Sequence, residues 1–326
     1  MDPRIRELER DWLCGELSAG ARLAQARLRG GQREDARNLA YVVLNTLPAD
    51  QSLIQTYVGA GGAFVREVNH PILGPSFLYE NLEVDGTLWS ITRAKNFLDN
   101  GMPRTHDNWR LRAQELDQEL QKQSLPGKLV IPNTKVETAI RLFCYDHHDH
   151  PALKPTIDQV LTQYRAQETN WPRTGTAVDY HGNSEATIEH IRLDTGEIAS
   201  RRIIIPEYGP LILASEQEER RNSTQNAIPQ DAIAVLEELF GPHYERAVHA
   251  FQYTSSRRND NNFLREFRFW TLDFNLRPAK RAVVLGRNDI NNRFNINDVI
   301  LSDGPALAVV ASRAKKFSSG NRGGLK

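Results

Sequence analysis

Cysteine is scarce in this chain, and long apolar runs are absent. The two cysteines, Cys14 and Cys144, lie far apart, so the sequence offers neither a disulfide framework nor a zinc site made of cysteines alone. No apolar segment reaches the roughly 20 residues that a helix needs to cross a bilayer. The charged first residues are not followed by the apolar stretch of a secretory signal. We therefore predict a cytoplasmic protein that has no contact with a membrane.

Familiar catalytic motifs are also missing. The chain has no Walker loop, no Gly-x-Gly-x-x-Gly after a strand, no His-Glu-x-x-His and no Gly-x-Ser-x-Gly. Gly59-Ala60-Gly61-Gly62 has the glycines of a phosphate loop but lacks the Lys-Ser/Thr that such a loop needs, and we interpret it as a flexible connector. These absences favour a binding or assembly protein over an enzyme.

The whole chain has no net charge, but its parts do. Lys and Arg together number 41, as do Asp and Glu, in an otherwise ordinary globular composition. Residues 251–326 contain 14 Lys/Arg against 6 Asp/Glu, a net charge of +8, so residues 1–250 carry −8. Such an asymmetry is typical of a surface that meets a polyanion or an acidic neighbour.

The hydrophobic period changes from helical to strand-like near Pro172. Residues 1–168 are predicted to form a mainly helical domain, with a small helical module at 1–48, an irregular or hairpin segment at 57–100 and helices within 109–166. Residues 173–326 are predicted to form a strand-rich domain with one helical insertion near 231–252 and a flexible basic tail at 318–326. The predicted fold class is α+β, helical first and mainly antiparallel afterwards.

Turn and capping signals locate individual elements. Asp85-Gly86 predicts a hairpin within residues 77–89, and the turn residues at 181–183 and 194–196 predict a three-stranded meander. Thr134 and Glu137 have the spacing of a capping box, so a helix is predicted to begin there. The carboxylates of Glu80, Glu83 and Asp85 near the hairpin could serve a nuclease, but we interpret them as solvated.

The densest group of metal-binding side chains is the segment 146–150. Imidazole and carboxylate together suit zinc, iron or manganese, so His147, His148, Asp149 and His150 are candidate ligands of a divalent transition metal. The corresponding protein would be a metal-dependent hydrolase or a non-haem iron oxygenase. The alternative, which the pattern favours, is that the histidines end a helix and compensate its dipole. In that case no cofactor is expected.

Arginine alternates with aromatic residues in the segment 255–270. Guanidinium groups pair with phosphates while rings stack on bases, so this pattern is typical of proteins that bind single-stranded nucleic acid. The alternative is a strand whose rings lie in the core and whose arginine stems lie at its rim. The residues predicted to contact nucleic acid or a protein partner are Arg257, Arg258, Arg265, Arg268, Trp270, Arg277, Lys280 and Arg281.

Asparagine is dense in the same basic region, as at Asn261, Asn262, Asn291 and Asn292. Asparagine-rich loops suit polar contacts between subunits. The sequence therefore predicts a non-enzymatic binding or assembly protein, a homo-oligomer or part of a larger assembly. A phage-like or intracellular assembly component fits this description. Its basic half would contact nucleic acid or neighbouring subunits, and the metal-dependent enzyme is the alternative.

Overall fold

Helices and strands follow one another through most of the chain. The computed structural model describes residues 3–46, 51–182, 185–204, 211–214, 230–255, 266–270, 279–288, 293–300 and 304–314. The helices are α1 (Pro3–Leu13), α2 (Leu17–Arg29), α3 (Arg33–Leu44), α4 (Gln51–Gly59), α5 (His106–Lys122), α6 (Thr134–Asp146), α7 (Lys154–Glu168), α8 (Gln230–Phe240) and α9 (Tyr244–Ser255). None of the described helices is both long enough and apolar enough to span a membrane.

The strands form two sheets. The first sheet has the order β1-β2-β3-β12-β4, and the second has the order β7-β6-β5-β10-β11-β9-β8. The strands are β1 (Phe64–His70), β2 (Gly74–Val84), β3 (Thr87–Ala94), β4 (Lys128–Val130), β5 (Arg173–Gly182), β6 (Glu185–Ile191), β7 (Ile198–Ile204), β8 (Leu211–Ala214), β9 (Glu266–Trp270), β10 (Ala279–Asn288), β11 (Arg293–Ile300) and β12 (Val309–Arg313).

The predicted α+β class is confirmed, with helices in the N-terminal part and antiparallel sheets in the C-terminal part. The predicted meander is present as β5, β6 and β7, which pair antiparallel in sequence order. Among the described strands, β9 and β11 are the pair that runs parallel. The helical insertion predicted near 231–252 consists of α8 and α9, joined at Gly241, whose φ of +84° suits glycine.

The predicted hairpin of β2 and β3 turns at Asp85 and Gly86. Both residues have positive φ, 48° and 68°, as the two central residues of a type I′ turn require. The segment 57–100, predicted to be irregular apart from this hairpin, contains β1 as well and forms a regular three-stranded meander. It makes up one side of the first sheet.

The last described strand returns to the first sheet. β12 lies between β3 and β4 and pairs antiparallel with both. Residues near the C-terminal end of the chain therefore complete a sheet that the N-terminal part begins. The division into two domains near residues 168–173 stays a prediction.

Two apolar cores accompany the two sheets. The larger core lies around the first sheet and α2–α7. The smaller core lies where α8 and α9 cover one face of the second sheet, with Val178, Ile188 and Leu285 opposite Leu236 and Phe251. Burial of these apolar faces provides the main free energy that holds the layers together.

The capping box predicted at Thr134 and Glu137 is wrong. Asn133 is the N-cap, because its side-chain oxygen accepts a hydrogen bond from the Val136 N–H at 3.0 Å. The Thr134 hydroxyl donates instead to the main-chain oxygen of Leu239 at 2.6 Å. The Glu137 carboxylate is buried in an ion pair and cannot reach back to the start of its own helix.

Candidate binding cleft

Of the eight residues predicted to contact nucleic acid or a protein partner, only Lys280 and Arg281 have described side chains. Arg257, Arg258, Arg265 and Arg277 fall outside the described residues. For β9 the main chain shows the register: Arg268 lies opposite Asn295 of β11 and Ile212 of β8, and Trp270 lies opposite Asn297. The expected contact surface around these residues is therefore still a prediction.

Two described cations of the second sheet pair with acidic side chains within the fold. Lys280 Nζ lies 2.6 Å from Glu189 Oε2, and Arg201 Nη1 lies 2.9 Å from Glu238 Oε2. Arg281 is half-buried. On this part of the sheet, Lys280 and Arg201 therefore add no uncompensated positive charge.

The histidines at the end of α6 divide between two neighbourhoods. His147 and His150 pack against Tyr41 of α3, with ring centroids 5.9 Å and 4.5 Å from the tyrosine ring. His148 packs on Tyr253 of α9 at 4.8 Å. Beyond α6 itself, His147 and His150 thus contact α3, whereas His148 contacts α9.

The predicted metal ligands do not converge. His148 Nε2 lies 2.9 Å from a carboxylate oxygen of Asp149. Nowhere in the described ranges do three His, Cys, Asp or Glu side chains come together in a way that could hold a metal ion. The geometry therefore gives the metal-dependent alternative no support.

One face of α6 forms the floor of a cleft of about 610 Å³. This volume is within the range of ligand sites, about 300–1,000 Å³. At a rise of about 1.5 Å per residue, a floor that spans α6 from Lys135 to His147 is about 18 Å long. The floor residues recur at helical spacing and are Lys135, Thr138, Ala139, Leu142, Phe143, Asp146 and His147.

Two walls rise beside this floor. The first wall combines Arg37 of α3, Tyr57 of α4 and the β2–β3 turn with Glu83 and Asp85. The second wall is built by residues 240–243 and Arg246, where α8 passes into α9. Four segments that are distant in sequence therefore enclose one elongated cleft.

Each end of the cleft contains ion pairs between its floor and the elements beside it. Near the start of α6, Lys135 Nζ lies 3.1 Å from Asp85 and 3.7 Å from Glu238. Near the end of α6, Arg246 pairs with Asp146. These pairs join the floor to each wall, and each partly exposed pair contributes at most about 1 kcal/mol to that packing.

The end of the cleft near the C-terminus of α6 adds polar groups from the first wall and from the floor. Burial raises the pKa of Tyr57 to about 12 and lowers the pKa of His147 below its ordinary value. At neutral pH both groups are therefore uncharged. Arg37 is exposed on the same side, and the ion pairs among the described residues do not include it.

The glycine segment 59–62 lines the cleft as the end of a helix. The N–H groups of Gly61 and Gly62 donate to the carbonyl oxygens of Val58 and Tyr57, both at 2.9 Å, which is a Schellman motif. The Asn81 amide of β2 donates to Val58 and Gly62 oxygens at 2.8 and 3.0 Å. These hydrogen bonds hold the segment in one conformation as part of a wall, whereas the sequence predicted a flexible connector.

The opposite side of α6 carries a buried ionic network. Arg93 Nε donates to Glu137 at 3.1 Å, and Arg141 Nη2 lies 2.8 Å from Glu168. The Tyr164 hydroxyl donates to the second Glu137 oxygen at 2.6 Å. All five side chains are buried. The network ties α6 to β3 and α7 and so positions the floor of the cleft.

Sequence reasoning found parts of this cleft but not the cleft itself. It singled out Asp85 at a turn and His147 at a helix end, for other reasons. It missed Arg37, Lys135 and Arg246, because these come from three helices that only the tertiary fold brings together. The available signal was the row of small and polar residues at helical spacing along α6.

Comparison with protein-family models, with curated proteins and with solved structures finds no match.

Proposed function

We propose that this chain is a binding protein that receives part of a partner in the α6 cleft. The observation that carries the proposal is an open cleft above one face of α6, which residues from Lys135 to His147 line between two walls from distant segments. An amphipathic helix normally covers such a face with its own protein. Here a volume of about 610 Å³ lies open above it, in the range where ligands bind.

The residues that line the cleft are those of a ligand site rather than of a packing defect. The floor of the cleft between its two ends is small or apolar, with Ala139 and Leu142, and charged groups stand at both ends. This combination of an apolar centre and a few directed polar groups is typical of ligand sites. Exposure of 41% for Leu88 leaves an apolar side chain at the rim that an occupant would cover.

Photo-crosslinking in the native cells tests the proposal for any class of ligand. A benzoylphenylalanine at Leu88 reports on the rim of the cleft, and the same residue at Leu111, which is 57% exposed on α5, is the matched control. We expect adducts specific to position 88 that disappear when Leu142→Arg fills the floor. Gln118→Arg, on an exposed site of α5, should leave them in place. Equal adducts at both positions, or adducts that survive Leu142→Arg, would contradict the proposal.

A second candidate function is contact with nucleic acid through the basic half. The excess of +8 in residues 251–326 and the arginine–aromatic alternation around Arg257, Arg258 and Trp270 support it. Binding would release counterions, so affinity should fall steeply as the salt concentration rises.

Anisotropy titrations of single-stranded and duplex oligonucleotides test this second candidate. Arg257→Ala and Arg258→Ala should weaken binding to all sequences and reduce the salt slope by about one unit each. Arg202→Ala is the control, because this exposed arginine already pairs with Glu185. If the unmodified chain binds no oligonucleotide at low salt, this candidate function is refuted. The excess of positive charge would then be explained by an acidic protein neighbour.

A further inference from the structure

Strand β2 is longer than its neighbour β1. The pairing of β1 with β2 begins at Phe64, opposite Glu80. β2 continues to Val84 and pairs with β3 alone over its last residues. Asn81, with φ of 55°, marks the bulge where this unpaired edge begins. The segment 82–84 therefore has a free edge, and the same residues line the cleft.

The main chain of Glu83 is the unpaired hydrogen-bonding group of this edge among the described residues. In a two-residue hairpin the pair that closes the turn, here Val84 and Thr87, exchanges both main-chain hydrogen bonds. The N–H and C=O of Glu83 then point away from β3, towards the side that β1 has left. Within the described residues, no main-chain group from that side bonds to them.

We propose that the occupant of the cleft is an extended polypeptide segment of a partner, which adds as a short strand to the free edge of β2 at Glu83. The identity of the occupant rests on the proposed function of the cleft. A polypeptide fits because one of its residues presents the N–H and C=O that complement Glu83. The floor of about 18 Å accommodates five or six extended residues at about 3.3 Å each.

Charge complementarity specifies the segment further. Arg37 and Glu83 are exposed on the cleft walls, and neither side chain belongs to an ion pair among the described residues. A segment with an acidic side chain near Arg37 and a basic one near Glu83 would neutralise both. Between these ends, Ala139 and Leu142 leave room for an apolar side chain that faces α6.

Selection of phage-displayed random nonapeptides on the full chain tests this inference. For the synthesised winners we expect weaker binding to Leu142→Arg but not to Gln118→Arg. Methylation of one central peptide amide should weaken binding about tenfold, since it removes a single hydrogen bond. Methylation of the two adjacent amides should change the dissociation constant by less than about twofold, because those amides point away from β2.

Reversal of the charge at position 37, on the protein and then on the peptide, provides a second test of the inference. Arg37→Glu should weaken a peptide with an acidic residue, and a lysine at that peptide position should restore binding. Arg29→Glu, on an exposed site of α2, should have no effect.

Three outcomes separate this inference from the proposed function. Peptides that bind in the cleft with no sensitive amide would refute strand addition and leave the binding cleft intact. Failure to select any peptide, with crosslinks at position 88 still present, would assign the cleft to a small molecule or nucleic acid. Loss of both signals would refute the cleft as a binding site.

Discussion

Tyr164 lies between two guanidinium groups in the interior of the molecule. The Cζ atoms of Arg93 and Arg141 are 4.3 and 4.2 Å from its ring centroid, and its hydroxyl donates to Glu137. We expect Tyr164→Phe to lower the free energy of unfolding by about 1–3 kcal/mol, because a buried carboxylate oxygen loses its donor while the ring remains. Urea denaturation measures the change. Tyr145→Phe, at a half-buried site on α6, should cost less than about 0.5 kcal/mol.

Two glycines give opposite expectations for the same substitution. A Cβ on Gly175 would lie 2.4 Å from the main-chain oxygen of Ile131, whereas a Cβ on Gly59 would meet only Leu28 at 3.4 Å. Gly175→Ala should therefore destabilise by more than about 1 kcal/mol, since the Ile131 carbonyl adjoins Pro132, whose oxygen accepts a hydrogen bond from the Gly175 N–H at 2.7 Å, and cannot easily move aside. Gly59→Ala, within α4, should be neutral or stabilise by up to about 1 kcal/mol. Equal melting temperatures for the two variants would contradict this difference.

At the scale of elements, one side chain fixes the wall of the cleft. Asn81 bonds two carbonyl oxygens at the end of α4 and holds φ of 55°. Asn81→Gly relieves the backbone strain and removes both bonds, so we expect a loss of about 1–2 kcal/mol and faster hydrogen exchange in residues 58–62. Asn81→Ala should cost about 1 kcal/mol more, because alanine disfavours positive φ. Unchanged exchange in Asn81→Gly would show that these bonds do not secure the wall.

Elements with local signals could be predicted from the sequence, and those that depend on distant partners could not. The β2–β3 hairpin follows from Asp85 and Gly86, since two adjacent residues suffice to define its turn. The position of β12 between β3 and β4 has no such local signature. Glu137 illustrates the same limit at α6. Its spacing indicated a helix cap, but its carboxylate pairs with Arg93 of the first sheet instead.

The cleft was equally hidden from the sequence. Its carboxylate at Asp85 belongs to a turn, its histidine at position 147 to a helix end, and its cation at Arg246 to a helix about 100 residues later. None of these residues stands in a motif with the others. Only the packing of the β2–β3 turn, α6 and α9 places them around one space.

At the scale of the whole molecule, we expect the free energy of unfolding to depend on pH through two buried histidines. Desolvation lowers the pKa of His106 and of His190 to about 4. His190 is neutral in a chain of hydrogen bonds: its Nδ1 lies 2.9 Å from the Thr176 hydroxyl and its Nε2 2.9 Å from the Glu238 main-chain oxygen. Since the oxygen can only accept, Nε2 carries the proton and Nδ1 accepts from Thr176.

These two histidines should make the protein lose stability as the pH falls from about 6.5 to about 4. In that range the unfolded chain, whose histidines titrate near 6.5, binds more protons than the folded chain, so the free energy of unfolding falls as the pH falls. At pH 5 each histidine should account for about 2 kcal/mol relative to pH 7.5. Urea denaturation at these two pH values measures the loss.

His190→Asn should reduce this loss of stability by about 2 kcal/mol, and His106→Asn gives an independent second measurement if the first variant fails to fold. His243→Asn, at an exposed site, should leave it unchanged. A loss in His190→Asn and His106→Asn equal to that of the unmodified chain would mean that neither histidine is held neutral by the fold.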